Sequence, residues 1–398
     1  MLHKFHHNLK LHKEDLDLWF KEKYKIFKLP IYGSVDVRYS GWKVSVVDAN
    51  YFPAGFNNLS EDHDIELSEK FKKYIYTNHG LNIKNIHIYP ENHTRNPGYV
   101  ENIVRLKKII SNADFIVTVG SPELNRFELL EGISEDLVLD SVSLENDLIQ
   151  INGQSPDLIL LNNDLTGGLI SGLNGRVEPS KEMGWYKRKK SDHYECLENL
   201  VKEVSEILDL DPWFLLPMWF VSEDKCLDLE ACKKKLARDI DLMISRIKDK
   251  YKEYNIKSEP KIFVKNNSGT YGLGITTLSS GDEINSLSNR IVKRLTYGKG
   301  GHSSQDFLIQ EGIPTSLIQG DLVMEPVGYT IAGEKSFWFF RTNHKKNNLE
   351  NLNSPSSNFM QFDQIKMNLK KSELLDWFNL VSKLSYLAMG MELQRRDY

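Results

Sequence analysis

Cysteine is scarce in this chain: Cys196, Cys226 and Cys232 are the full set in 398 residues. They form no C-x-x-C pair, which argues against a disulfide framework and for a reducing compartment. No apolar run approaches the roughly 18–20 residues needed to span a bilayer. The opening MLHKFHHNLKLHKEDLDLWF lacks both the uninterrupted apolar segment and the small-residue cleavage site of a signal peptide, so a cytoplasmic protein is expected. Charge excess is absent too. Lys+Arg number 51 and Asp+Glu 55, a net charge of −4, which argues against a general nucleic-acid or membrane-surface binder. Hydrophobic residues at 40% and aromatics at 11% are enough to build cores, and the length suggests two or three lobes. His3, His6, His7 and His12 crowd the start. Metal ligands on a mobile end are poorly fixed, so they read as a polar lead-in to a helix.

Apolar spacing predicts a helix over 13–27, closed by Pro30 and Gly33. Two β-type runs, 34–39 and 43–47, joined at Ser40-Gly41, predict a hairpin. Ser60 and the acidic residues after it open a helix that Gly80 stops. From about 80 to 165 strands (86–90, 114–120, 157–164) alternate with helices (98–111, 123–132), the signature of a mostly parallel sheet. Its ligand face should lie at the carboxyl ends of the strands, in loops carrying Glu91–Asn96, Gly120 and Asn162–Gly168. Residues 176–193 are basic, either a solvated loop or an anion-binding lid using Arg188, Lys189 and Lys190. Residues 194–256 read as mainly helical, with a long amphipathic helix over 228–253. The last part reads as a strand (261–264), a glycine-rich loop, a helix (283–297), a strand (306–310), a hairpin (321–331 and 335–341), an Asn/Ser-rich loop and a final helix over 371–389.

The strongest chemical signal is Lys265-Asn-Asn-Ser-Gly-Thr-Tyr-Gly-Leu-Gly-Ile275. A lysine at a strand end, followed by Gly269, Gly272 and Gly274, lets backbone N–H groups approach phosphate oxygens. It is neither a P-loop nor a Rossmann fingerprint, and an ordinary glycine turn is the competing reading. The order that follows adds to it: a helix, then Leu308-Ile-Gln-Glu-Gly-Ile313, then Gly320-Asp321 and Arg341.

That order resembles the ATP-grasp fold, glutathione synthetases in particular. The resemblance implies that Lys265 contacts the phosphates of ATP and that the loop bearing Ser268, Gly269, Thr270 and Gly272 closes over them. Gln310, Glu311 and Ile313 would hold adenine, Asp321 would lie near the ribose, and Arg341 would meet the phosphoryl end. Asn351 and Asn353, in Asn-Leu-Asn-Ser-Pro, resemble a substrate loop of the same fold. The carboxylate-bearing hairpin that usually comes last is not found after the final helix. Instead Val35-Asp36-Val37-Arg38, Gly41, Asp48-Ala-Asn50 and Pro53-Ala-Gly55-Phe56 are similar to the magnesium hairpin of D-alanine ligase-like members. By that similarity Asp36, Asp48 and Asn50 would bind Mg2+, and the fold would be a circularly permuted α/β ATP-grasp. Its expected units are 1–59 (helix and metal hairpin), 60–193 (Rossmann-like substrate domain), 194–259 (helical connector) and 260–398 (nucleotide module).

The longer strings VDVRYSGWKVSVVDANYFPAGFNNL, PENHTRNPGYVEN, LLNND and VKNNSGTYGLGI resemble a bacterial glutamate–cysteine ligase family, from about residue 25 to the end. The resemblance implies ATP-dependent joining of glutamate to cysteine, the first step of glutathione biosynthesis, with ATP, glutamate and cysteine as small-molecule substrates and no nucleic-acid or membrane partner. Competing readings are a ligase joining glutamate to another amine and a non-catalytic nucleotide-binding regulator. For substrate carboxylates Arg38 and Arg95 offer fork-shaped guanidinium groups. A surface ion pair is the competing reading for each, and Arg38 could also serve the phosphate or hold Asp36; Asn57 and Asn58 are substrate contacts or turn residues, and Asn163 completes the candidate substrate contacts.

Overall fold

The computed structural model describes residues 2–93, 95–223, 227, 229–268, 274–297, 306–333, 335–354, 356–365 and 371–396. Three sheets organise them. The central one is antiparallel and draws on both ends of the chain. Its order is Asn358–Gln361, Lys335–Asn343, Leu322–Ile331, Tyr32–Tyr39 and Val44–Asn50, with Ile318–Gln319 added to the third. The predicted N-terminal hairpin and the predicted long hairpin therefore lie side by side in one sheet. Tyr32–Tyr39 is buried along its whole length, as a strand covered on both faces must be.

The second sheet is parallel, in the order Val177–Glu178, Leu158–Asn162, Asn85–Pro90 and Ile116–Val119. Helices Asp64–His79 and Pro97–Ser111 cover it. Each helix end follows from its sequence. Gly80 stops the first at φ 93°, and the Asn96 side chain caps the second, which begins with Pro97. The helix expected over 123–132 does not form. Pro122 opens only a single turn, Pro122–Leu124, and Asn125 then bonds both the N–H and the C=O of Val142. The chain goes instead into two small hairpins, Leu129–Leu130 with Leu137–Val138 and Val142–Glu145 with Leu148–Ile151.

The third sheet is antiparallel, in the order Trp219–Ser222, Phe307–Glu311, Ile262–Asn266 and Ile275–Leu278. Its first strand arises inside the stretch read as a helical connector, between helices Lys190–Ile207 and Glu230–Glu253. It is four residues long, too short for a periodicity to register.

Two helices join these sheets. Lys190–Ile207 packs along the C-terminal helix Lys371–Arg396, burying Tyr194, Leu197, Val201 and Val204 on one stripe. The C-terminal helix is buried on several sides, because the central sheet lies against it as well. Gly390 allows the close approach: a Cβ there would stand 3.0 Å from the Lys28 carbonyl. At the start of the chain Phe5 is buried against Phe214 and Trp377, so the histidine-rich lead-in is a docked helix, Leu2–Leu11. Among the described residues no helix is long and apolar enough to cross a membrane.

The basic stretch 176–193 is buried at Arg188, Lys190 and His193, while Lys187 and Lys189 stay exposed. Arg188 is fully buried. It donates to both oxygens of Glu392, at 2.8 and 3.1 Å, and to the Ala49 carbonyl at 2.8 Å. His193 Nδ1 reaches Glu392 at 2.6 Å and its Nε2 meets Ser385 at 2.9 Å. This cluster ties the C-terminal helix to the N-terminal hairpin. Burial alone would raise the Glu392 carboxyl, but Arg188 and His193 outweigh it and hold the group at about 2.

Glu392→Gln leaves Arg188 buried without its counter-charge, so unfolding in urea should show a loss of about 3–5 kcal/mol at neutral pH. Because the carboxyl is held below its ordinary value of 4.5, its contribution is complete above that pH and disappears as pH falls toward about 2. The variant should lack that part of the acid sensitivity. Equal acid profiles would show that the cluster does not stabilise the fold.

Candidate active site

The central sheet brings together charges that are remote in sequence. Arg341 lies opposite Glu325 and donates to it at 2.6 Å. The same guanidinium donates to Asp36 at 2.8 and 3.3 Å. On the other side of Glu325, Arg38 donates from Nε to the second carboxylate oxygen. All four side chains are buried, so each charge needs its partners. The remaining Arg38 nitrogens meet the carbonyls of Asn348 and Glu350 at 3.0 and 2.8 Å. In this arrangement Arg38 is not free to meet a substrate carboxylate.

Asp36 and Asp48 are cross-strand partners, and Asn50 lies two residues further along, opposite Ser34. A bulge follows at once: Val37 pairs with Val46, so Val47 has no partner in the ladder. Its carbonyl accepts a hydrogen bond from Lys265 Nζ at 2.8 Å. This irregularity thus anchors the lysine of the third sheet on the central sheet. Asp48 accepts from Lys190 Nζ at 2.6 Å. Burial would raise the Asp48 carboxyl, yet Lys190, Lys265 and Arg188 together bring it down to about 2. Burial likewise brings Lys265 down to about 8, against the pull of the Asp48 charge. Lys190 is held in turn at the start of the glycine loop: its N–H donates to the Asn267 carbonyl at 2.8 Å, and Ser191 N–H to the Asn267 side chain at 2.9 Å.

Two adjoining pockets open at this point. One is lined by Asp36, Asp48, Asn50, Asn58, Arg341 and Asn353, and also by Pro53–Gly55, Asp164, Trp185 and Tyr329. The other is lined by Asp36, Arg38, Asp48, Phe263, Lys265, Glu325, Asn351 and Asn353. Most of the predicted metal, phosphate and substrate residues therefore line these two pockets on the central sheet, the first bounded by Asp164 and Trp185 and the second by the third sheet.

Others do not. Arg95 is exposed and lines neither pocket. Asn57 is half-buried beside Asn58 and also lines neither. Asn163 closes its own turn, donating to Pro90 O and accepting from Leu165 N–H at 3.0 Å. Asp321 is exposed, 3.3 Å from His344. Ile313 is buried just beyond the third sheet. The Glu311 carboxylate is enclosed by Lys43 at 2.6 Å, by Trp213 and by Met218 N–H. Ser268 follows Lys265 in a turn held by the Asn266 side chain. Gly269, Thr270 and Gly272 lie outside the described residues. Among those described, no three His, Cys, Asp or Glu side chains gather as a metal-holding group.

Sequence reasoning missed Glu325 and Trp185 as parts of this cleft; it had Lys190 only as a member of a possible anion-binding lid and Asp164 only within a ligand-face loop. A signal existed for Glu325, a lone carboxylate in the apolar run Leu-Val-Met-Glu-Pro-Val. Asp164 ends the strand segment Leu-Leu-Asn-Asn-Asp at the expected ligand face.

Gly55 floors the first pocket. A Cβ there would stand 2.7 Å from the Tyr329 hydroxyl and 3.1 Å from Asn58 Nδ2, while its φ of −151° suits any residue. Gly55→Ala should cost about 1–3 kcal/mol in urea unfolding, by overpacking alone. A loss of only a few tenths would show that the floor is loosely packed.

Comparison with known proteins now adds an identity to this geometry. The family model described as glutamate-cysteine ligase matches residues 7–393. Among solved structures, a protein of Methylobacillus flagellatus KT provisionally designated a gamma-glutamylcysteine synthetase is 28% identical, with a TM-score of 0.88 over 98% of this chain and 95% of that one. D-alanyl-alanine synthetase A of Vibrio cholerae is 11% identical, with a TM-score of 0.38 over 78% of this chain and 82% of that one. A glutathione synthetase-like effector of Globodera pallida is 8% identical, with a TM-score of 0.40 over 90% of this chain and 83% of that one. Those two similarities are too distant to bear on the fold. No curated protein matches. With the family model spanning nearly the whole sequence, the chain belongs to the glutamate–cysteine ligase family and is an enzyme that ligates glutamate to cysteine.

Proposed function

We propose that the enzyme is a circularly permuted ATP-grasp-like ligase that activates the γ-carboxylate of glutamate as an acyl phosphate. The products are γ-glutamylcysteine, ADP and phosphate. The observation that carries this reading is the meeting, at one cleft, of Asp36 and Asp48 from the N-terminal hairpin with Lys265 and Arg341 from the C-terminal half. Family membership implies ATP use. In this reading 1–59 and 260–398 together form the nucleotide module, 60–193 the substrate domain and 194–259 the connector.

A nucleotide also suits the polar atoms of the third sheet. Gln310 lies opposite Phe263, two residues from Lys265 and on the same face. Its side chain is fully buried and faces the Tyr194 hydroxyl, and the nearby Trp219 indole nitrogen is buried without a hydrogen-bond partner. Buried polar groups with so few partners beside a phosphate-type lysine are costly unless a ligand supplies donors and acceptors, which a heteroaromatic base does.

Asp36, Asp48 and Asn50 would hold Mg2+. Two carboxylates and an amide form an oxygen-only set, the kind a hard cation takes. Arg341 bonds both Asp36 oxygens and Lys190 one of Asp48, so a metal would have to share or displace these contacts. When bound, the metal supplies charge that neutralises the transferring phosphoryl group.

In the first step an oxygen of the glutamate γ-carboxylate attacks the γ-phosphorus, and the bond from phosphorus to the ADP oxygen breaks. Lys265 and Arg341 stabilise the negative charge on the phosphoryl oxygens. In the second step the cysteine amine attacks the acyl carbon, the carbon–oxygen bond to phosphate breaks, and the amine loses a proton. Asn58, Asn351 and Asn353 offer amides to orient the substrates. The walls between the sheets shield the acyl phosphate from water.

Phosphate release from ATP should require both glutamate and cysteine, and across a panel of amines it should be fastest with cysteine. Removing Lys265 as Lys265→Ala takes away one charge-stabilising donor. The expected loss is about 3–4 kcal/mol of transition-state stabilisation, or roughly two to three decades in kcat. Near-normal turnover in that variant would place the phosphates elsewhere.

A further inference from the structure

The second pocket has one wall from each of two sheets. Phe263, Lys265 and Ile275 belong to the third sheet, and Asp36, Arg38, Asp48 and Glu325 to the central one. The chain crosses between these sheets directly after Glu311, the last residue of strand Phe307–Glu311. Gly312 N–H still donates to the Lys261 carbonyl at 2.8 Å, and Ser316 N–H already donates to the Tyr39 carbonyl of the central sheet at 2.8 Å. The crossing is tight: a Cβ on Gly312 would stand 2.8 Å from the Lys261 carbonyl oxygen.

At that crossing the two sheets are also joined by charge. Lys43, beside the start of strand Val44–Asn50, places its Nζ 2.6 Å from Glu311, and each side chain is only 1% exposed. The lysine is held at its base, where its N–H donates to Ser40 Oγ at 3.1 Å and its C=O accepts from Ser40 N–H at 3.0 Å. Its Nζ lies 4.4 Å from the centre of the Trp213 ring. The Glu311 carboxylate also accepts from Trp213 Nε1 at 3.1 Å and from Met218 N–H at 2.9 Å, while Glu311 N–H donates to the Met218 carbonyl at 2.8 Å. A buried ion pair adds little net stability over an apolar filling, but a fully bonded one holds its elements in a single arrangement. The sheets meet again inside the pocket, where Lys265 Nζ donates to the Val47 carbonyl at 2.8 Å. That second bond uses the lysine read as a phosphate contact, so a nucleotide would exchange it. Lys43 and Glu311 line neither pocket, so their bond stays when a ligand enters.

We propose that the Lys43–Glu311 pair is the fixed pivot of the second pocket, setting the spacing at which one nucleotide reaches both Lys265 on the third sheet and the aspartates on the central one. Both are positioning residues. They act on the nucleotide through the strands they hold and do not touch it. The inference rests on the reading above, in which the nucleotide lies between these two sheets. Groups on opposite walls must be in register for phosphoryl transfer, and a misplacement of about 1 Å costs on the order of a hundredfold in rate.

The test separates charge balance from spacing. Lys43→Met keeps the stem and leaves the Glu311 charge buried alone, and Glu311→Gln leaves Lys43 alone. The double variant Lys43→Met/Glu311→Gln strands neither charge, so its urea midpoint should lie closer to wild type than that of either single variant. The probe is β,γ-imido-ATP with Mg2+, titrated calorimetrically. In the double variant its Kd should rise at least about tenfold, and kcat for phosphate release should fall at least about tenfold, although stability has recovered. Trp213→Phe removes one donor to Glu311 and keeps a ring beside Lys43. It should weaken analogue binding by a smaller factor, and it serves if the double variant does not fold. Wild-type Kd and kcat in the double variant, or in Trp213→Phe where that is the variant used, would show that the pair only balances charge. Weakened binding in Glu311→Gln with none in Lys43→Met would mean that Glu311 meets the nucleotide directly, and the pivot would be wrong. If wild type does not bind the analogue, the nucleotide reading itself fails and the pivot falls with it.

Discussion

The run of alternating charges Arg38–Glu325–Arg341–Asp36 is the constraint on which the rest of the structure depends. It crosses the central sheet from the N-terminal hairpin to the long hairpin and back, among side chains that are all buried. Buried ion pairs of this kind add little net stability, since desolvation offsets their attraction. Their effect is on register. A one-residue slip of Tyr32–Tyr39 against Leu322–Ile331 would turn Asp36 and Arg38 to the other face and strand four charges at once. With the register fixed, Asp36 stands opposite Asp48, the bulge exposes the Val47 carbonyl, and Lys265 finds its acceptor.

Two aspartates on neighbouring strands repel unless each is matched by a cation, and the two cations come from different parts of the fold. Arg341 belongs to the central sheet itself. Lys190 arrives from a helix start that is tied to the origin of the glycine loop. Arg188, two residues earlier, links that same start to Glu392 in the last helix. The cleft thus couples a sheet, a helix start and the C-terminal helix through a handful of charge-assisted bonds. A shift in any one of them changes the field at Asp48.

Much of the fold was legible in the sequence because it is local. Alternation marked both long hairpins, Gly80 marked a helix end, and Lys265 announced itself by the glycines after it. What was not legible depends on pairing. Arg38 read as a carboxylate anchor, a phosphate contact or a partner of Asp36 on its own strand, because its actual partner is remote in sequence. Glu325 is 287 residues away. The basic stretch around Arg188 read equally as a solvated loop or an anion-binding lid for the same reason, since Glu392 is 204 residues distant. The strand Trp219–Ser222 is too short for periodicity and is defined by its neighbour Phe307–Glu311. The helix expected over 123–132 yielded to Asn125, whose side chain satisfies the backbone of Val142 across a loop.

The order of the motifs also sets a sequence of events during synthesis. Asp36 and Arg341 are 305 residues apart. At 5–20 residues per second a ribosome needs roughly 15–60 s to add that length. Throughout that interval the newly made Tyr32–Tyr39 strand has its hairpin partner on one edge and nothing on the other. The nascent enzyme must therefore carry an unpaired, largely apolar strand edge until its last quarter emerges, which makes this segment the natural place for a chaperone to hold the growing chain.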